Sequence, residues 1–440
     1  LNLRLRSADG ARDIIGWHQG RKNRPVIRRI QIDNFKSLDG FSLPPVGSEP
    51  LANFTCLIGA NGSGKTTVLQ AIDFLAQLVK GRLSEWLRER GWSSDELLSQ
   101  LDAAEGECIT ISTGIKMGST FPIQWKCKYH CAKDSIIEES IWENNHCLLQ
   151  ARLGIVSFTL SKSQELRENS GLRYSGSALS ILADEDIHPS LSLLKQLFSN
   201  YVANFELVST FNLKQASFPS PEIGPRGENL AGFVHQISEG IRERIYTKIK
   251  DFFPDGRAII RKLEKNDLVK LSLLEKYMRF LLPDGSATSD GISSRHFSDG
   301  FARILAIVTQ IESSAVPGTV NAPDRILLLD EIENGIHPET MSKLVQYLAN
   351  APIQVIATTH SPLILNYLTD EQAEKSVILL YRNSEGRSRS CRYFDLPSAK
   401  KKLGILGPGE VYVDTSIEQL ALEAEEMERG ASAQAGAPNQ

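Results

Sequence analysis

Two short stretches hold side chains whose types and spacing could do chemistry. GANGSGKT, Gly59 to Thr66, has the spacing G-x(4)-G-K-[ST]. Its glycines let the backbone curl until several N–H groups converge on phosphate oxygens, and a following helix adds partial positive charge. Lys65 would neutralise the β- and γ-phosphates, and Thr66 would offer its hydroxyl to Mg²⁺. The second stretch, ILLLDEIENGIHPE (326–339), is four aliphatic residues followed by Asp330, Glu331 and Glu333. An uncompensated buried carboxylate is costly against the small margin by which a domain is stable. Acids at the tip of a core strand therefore call for a metal, a cation or a reacting water. Beside a phosphate loop, Asp330 suits the Mg²⁺ shell and Glu331 suits polarising the attacking water. For Glu333, a solvent-facing or interface position and a catalytic role stand equal.

Two weaker signals follow the same logic. FSDGFARILAIVTQI (297–311) puts Ser298, Asp299 and Gly300 at a helix start, where Ser or Asp can cap, followed by a buried face of Ile304, Leu305, Ile307, Val308 and Ile311. VIATTHSPLIL (355–365) puts His360 at a strand end, one helix after the acidic strand. By itself either is as readily a structural feature. Cys127, His130, Cys131, His146 and Cys147 do not have a zinc-finger spacing and read as small buried side chains on strands.

The elements that must position these groups are legible from hydrophobic period. Residues 25–35 alternate as a half-buried strand, 53–59 form a buried strand, and a helix covers about 65–80. Residues 81–106 look helical, and 107–160 give antiparallel strands separated by turns. Residues 228–253 read as one long helix. A helix starts near Ser298; then come the 326–330 strand, a helix opened by Pro338, the 353–359 strand, a helix over 362–368 and a last strand at 376–381. The tail from Glu428 reads as disordered.

With 41% hydrophobic and 23% charged residues and a net charge of −4, the composition is that of a globular protein. No run of 18 apolar residues suggests a membrane span, no apolar leader core is seen, and six scattered cysteines suggest a reducing, cytoplasmic setting. Residues 1–29 carry eight Lys/Arg, and 382–402 carry seven. Such clusters could meet a DNA backbone, but a solvated face is the commoner use.

The order of phosphate loop, long insertion, S-x-G helix, D-E strand and strand-end His resembles the ABC-type ATPases. NFKSL (34–38), DEIENGIHP and TTHSP are similar to their SMC/RecF-like and OLD-like branch, found in bacterial phage-defence operons as Septu-type or RloB-associated ATPase subunits. The likeness covers 25–60 and 290–370 well and the middle loosely. It implies an α/β ABC-type P-loop NTPase head with an antiparallel β subdomain and an inserted helical subdomain. The boundaries expected are a basic N-terminal segment (1–24), an N-terminal lobe (25–160), a mainly helical insertion (161–285), a C-terminal lobe (286–381), a C-terminal extension (382–422) and a disordered tail (423–440).

The resemblance also implies the site. ATP would lie on Gly59, Asn61, Gly62, Ser63, Gly64, Lys65, Thr66, Thr67 and Lys36, with Mg²⁺ on Thr66 and Asp330. Glu331, Lys65 and His360 would be catalytic, His360 sensing the γ-phosphate within its own subunit. Ser298, Asp299 and Gly300 would face the γ-phosphate of a second subunit, so a homodimer is needed. The signature is S-D-G-F rather than S-G-G-Q, and no glutamine loop is placed.

Function then reads as an Mg-dependent ATPase that closes on ATP and switches a separate effector, an expected nuclease. Some 80 residues follow His360, too few for a fused nuclease domain. The alternative is a RecF/SMC-like DNA-repair or DNA-maintenance ATPase without an effector. A transporter half fits poorly, and Glu331 argues against a binder that never turns ATP over.

Overall fold

The computed structural model describes residues 26–101, 106–116, 122–152, 154–161, 165–172, 174–205, 210–263, 266–277, 291–314 and 326–435. The basic segment 1–24 lies outside them.

The strands are β1 (Val26–Asp33), β2 (Phe41–Leu43), β3 (Phe54–Ile58), β4 (Cys108–Lys116), β5 (Ile123–His130), β6 (Ser135–Glu143), β7 (His146–Arg152), β8 (Ile155–Thr159), β9 (Leu166–Asn169), β10 (Val202–Phe205), β11 (Gly256–Leu263), β12 (Val269–Glu275), β13 (Ile292–Ser293), β14 (Ile326–Leu329), β15 (Gln354–Thr358), β16 (Val377–Arg382) and β17 (Ser388–Arg392). They make three sheets. A six-stranded sheet runs β10-β14-β15-β3-β16-β17, parallel except for the β16–β17 hairpin. An eight-stranded antiparallel sheet runs β2-β1-β4-β5-β6-β7-β8-β9, and a small sheet joins β11, β12 and β13.

The unbroken apolar run of β14 and the mostly apolar β3 and β15 are explained by burial on both faces. Leu57, Ile326, Leu328 and Ile356 point into a core shared with the helix Lys65–Lys80 and the antiparallel sheet. Cys56, Ile58, Leu327, Leu329, Val355 and Ala357 point into the opposite core, built with the helix Asp299–Ser314 and its neighbours. The antiparallel strands bury only alternate residues, as β4 does, so their sequence alternates too. A buried amide joins the two sheets: Gln354 accepts from the Ile27 N–H and donates to the Ile27 carbonyl, both at 2.8 Å.

Four expectations are corrected. Residues 161–285 are not mainly helical: β9 extends the antiparallel sheet, β10 forms an edge of the parallel sheet, and β11–β12 make a hairpin. The long helix 228–253 is two, Leu230–Gln236 and Glu239–Phe252, with Ile237 and Ser238 extended between them. The strand at 377 is followed by β17, which turns back on it. The tail is helical from Ile417 to Ala435. There, buried Leu420 and Ala424 supply the apolar contact that composition hides.

Candidate active site

Strand order sets the chemistry's geometry. β15 lies between the phosphate-loop strand β3 and the acidic strand β14, and all three run parallel, so their C-terminal ends open on one side. Asp330 and Glu331 directly follow β14, Thr358 is the last residue of β15 with His360 two residues on, and the phosphate loop leaves β3 beside them.

The loop itself has Gly59, Gly62 and Gly64 at φ +141°, +74° and +102°. At φ of this sign a side chain is disfavoured, and at Gly59 and Gly64 space forbids it as well. A Cβ on Gly59 would lie 2.1 Å from the Leu380 carbonyl oxygen, and one on Gly64 would lie 2.5 Å from Ser388 Oγ. Gly64 hands the chain to the helix Lys65–Lys80. Lys65 is buried, and its amine donates to the Gly59 and Ala60 carbonyls at 2.9 Å each. Burial pulls its pKa below the ordinary lysine value, while Asp330, Glu331 and Glu333 pull it back up. A buried ammonium held by only two carbonyls is poised to be repaid by an anion.

Thr66 Oγ1 donates to Asp330 at 2.9 Å from Oδ2. Thr358 Oγ1 donates to Asp330 Oδ1 at 2.5 Å and accepts from the Glu331 N–H at 2.8 Å. The Thr66 hydroxyl and Asp330 carboxylate form an adjacent pair of hard oxygen donors, the set that suits Mg²⁺.

Glu331 sits at φ +48°, a left-handed conformation costing a non-glycine residue roughly 1–2 kcal/mol. Its carboxylate accepts from Asn334 Nδ2 at 2.5 Å and lies 3.9 Å from His360 Nε2. Such strain, fixed by hydrogen bonds on both backbone and side chain, is typical of residues kept for function. Glu333, left open by sequence, accepts from the His360 backbone N–H at 2.7 Å. It fixes the histidine's main chain, while Glu331 faces the ring.

The turn Ser298–Gly300 lies elsewhere in the bonding network. Ser298 caps its helix, accepting from the Phe301 N–H at 3.2 Å. Asp299 does not cap; its Oδ1 accepts from Lys214 at 2.6 Å and from the Thr210 hydroxyl. The Lys214 bond, then that from Thr210, lowers its pKa below the usual carboxylate range. Gly300 packs on the 331–336 loop, where an added Cβ would meet the Gly335 oxygen at 2.9 Å. Among the described residues, no hydrogen bond joins 298–300 to the phosphate loop.

Lys36, expected at the phosphates, is near the helix that follows the loop. Its amine donates to Gln70 at 2.9 Å and lies 3.5 Å over the Trp92 ring. Asn61 and Thr67 lie in the loop and the first helical turn, as their spacing requires. Sequence reasoning missed Thr358, Asn334 and Lys214. For Thr358 a signal existed, a β-branched hydroxyl at a strand end inside TTHSP.

Of the cations of 382–402, Lys400 and Lys401 are exposed. Five of the seven are bonded within the protein. Arg382 binds the Gly62 and Gly386 carbonyls; Arg387 pairs with Asp39 and Glu385; Arg389 pairs with Glu428. Arg392 donates to the Lys375, Glu49 and Pro50 carbonyls, and Lys402 pairs with Asp414. Cys127 is buried in β5 with its thiol pushed up by desolvation, and Cys131 is buried in the following turn. Among the described residues, no helix is long and apolar enough to cross a membrane.

Comparisons with known proteins bear on the family and the fold. The chain is 22% identical over 394 residues to the Retron Vc95 probable ATPase of Vibrio cholerae serotype O1 biovar El Tor, covering 81% of this chain and 74% of the relative. It is 38% identical over 91 residues to the Septu protein PtuA of Bacillus mycoides (strain KBAB4), a local match spanning 20% of this chain and 12% of that protein. An Smc head domain from Pyrococcus furiosus, solved bound to the C-terminal domain of ScpA, shares the fold with a TM-score of 0.50 at 13% identity, over 86% of this chain and 99% of that one. Residues 54–124 and 157–366 match the family described as AAA domain, putative AbiEii toxin, Type IV TA system, and the chain belongs to it, a P-loop ATPase with the fold of an Smc head.

Proposed function

We propose that this ATPase is a conformational switch in which two copies close around two molecules of ATP, with Ser298 and Gly300 of each copy completing the site of the other. The observation that carries the reading is the division of the bonding network. Lys65, Thr66, Asp330, Glu331 and His360 gather beyond the C-terminal ends of β3, β14 and β15, while the Ser298–Gly300 turn is bonded to Lys214 and Thr210 and packs on Gly335.

In this scheme Lys65 exchanges its two carbonyls for the β- and γ-phosphates, a replacement that raises its pKa again. Thr66 and Asp330 would hold Mg²⁺, which would supply charge neutralisation to the phosphates. Glu331, oriented by Asn334, takes the proton of the attacking water. His360 reads the γ-phosphate and, through Glu333 and the 331–336 loop, is connected to its own subunit's Gly300. The relatives in retron and Septu systems support a defence setting, with a separate effector, a nuclease by preference, reading closure.

Mixing tests the shared site. Lys65→Ala and Ser298→Arg chains are each inactive alone in this reading. A mixed dimer keeps one intact site, so about a quarter of wild-type turnover should return on mixing. Absence of any recovery, with both variants folded, refutes completion of the site in trans.

A further inference from the structure

The phosphate loop is braced from outside by an element that no motif marks. The β16–β17 hairpin touches it at all three glycines. The Leu380 carbonyl fills the space a Gly59 side chain would need, and Ser388 Oγ does the same at Gly64. Between them, Arg382 Nε donates to the Gly62 carbonyl at 2.8 Å, with Nη1 on the Gly386 carbonyl at 3.1 Å. The hairpin is also tied to NFKSL: the Ser388 hydroxyl donates to Ser37 Oγ at 2.8 Å, and its N–H donates to the Ser37 carbonyl at 2.9 Å.

The same hairpin is held from its other side by the C-terminal helix Ile417–Ala435. Glu428 accepts from the Tyr381 hydroxyl at 3.0 Å and pairs with Arg389 at 3.2 Å. Glu425 accepts from the Ser384 hydroxyl at 2.6 Å. Tyr381 and Arg382 are consecutive, one anchored on the helix and the other on the phosphate loop. Displacing the helix therefore acts on Arg382 through a single peptide unit.

We infer that Arg382 is a positioning residue for the phosphate-binding loop, and that the β16–β17 hairpin couples nucleotide affinity to the C-terminal helix through Glu425 and Glu428. Gly62 at φ +74° has no side chain to hold its peptide, so the loop's outer curve needs an external donor to keep one shape. A charged donor on a neutral carbonyl is among the stronger hydrogen bonds available. Arg382 bonds to the loop's backbone, so its effect falls on binding more than on the chemical step. The inference rests on ATP occupying this loop.

The test uses the full chain and MgATP. Arg382→Ala should raise KM about 3- to 10-fold with kcat changed less than about twofold. Arg382→Lys, which keeps one donor, should recover part of that shift. Glu428→Ala should raise KM about two- to threefold alone and add nothing in the Arg382→Ala background, because both act through one linkage. An unchanged KM in Arg382→Ala overturns the inference, as does full additivity with Glu428→Ala. Should Arg382→Ala melt early, the Lys and Glu428 variants decide by the same criteria. Lys65→Ala separates the two readings: if it binds ATP as wild type does, the nucleotide site itself is misassigned.

Discussion

Thr66 and Asp330 are 264 residues apart in sequence, and the threonine hydroxyl lies 2.9 Å from the aspartate carboxylate. The contact spans β15, which separates their two strands. Thr358, at the end of that intervening strand, bonds both Asp330 and the Glu331 backbone. This end of the sheet is thus a row of three strand tips laced by hydroxyls.

Replacing Glu331 by Gln keeps the Asn334 contact available but removes the base. Turnover should fall roughly 100- to 10,000-fold while ATP binding persists, with a dimer accumulating in ATP. Steady-state hydrolysis and sedimentation in ATP and ADP check this. Unaltered turnover would remove Glu331 from the mechanism.

Thr358→Val is nearly isosteric and deletes a donor to Asp330 and an acceptor for the Glu331 N–H. An unpaired buried polar group costs about 1–3 kcal/mol, so urea denaturation should show a loss of that size. Turnover should fall as well, because Glu331 loses the bond that fixes its left-handed backbone. Wild-type activity in this variant would show that the lacing is not needed for chemistry.

ATP affinity should decline at alkaline pH earlier than an ordinary lysine would allow. Burial lowers the Lys65 pKa in the free protein, and a triphosphate favours the protonated amine. Affinity is therefore fully present below the lowered pKa and is lost as pH rises through it. Titration of a fluorescent ATP analogue across alkaline pH reads the effect; affinity constant up to the ordinary lysine value of 10.5 would contradict it.

Gln354→Leu tests how the two sheets are joined. The amide meets both the N–H and the carbonyl of Ile27 at 2.8 Å, and leucine offers neither partner. A loss of about 2–4 kcal/mol is expected, two unmet backbone groups partly relieved by relaxation. A change under about 0.5 kcal/mol in chemical denaturation would mean that Ile27 finds other partners.

Much of this was legible in the chain itself. The helix after the phosphate loop runs from Lys65 to Lys80 as its period requires, and Pro338 opens the helix it was expected to open. Local rules suffice there, because glycine conformation, helix capping and two-sided burial depend on near neighbours. The break at Ile237–Ser238 was hidden because both halves carry the same apolar period and bury their apolar residues in one core. The helical tail was hidden for the converse reason: its polar composition suggests a free chain, and its contacts with β16 and β17 come from far along the sequence.

Sequence alone determined which side chains could handle a triphosphate, since Lys65, Thr66, Asp330 and Glu331 declare themselves by type and spacing. Only the tertiary structure decided their partners. Placing β15 between two strands brings Thr358 onto Asp330, and folding the hairpin back sets Arg382 on Gly62. Hydrogen bonds fall off within a few ångströms, so contacts between residues hundreds of positions apart exist only once strand order has been set.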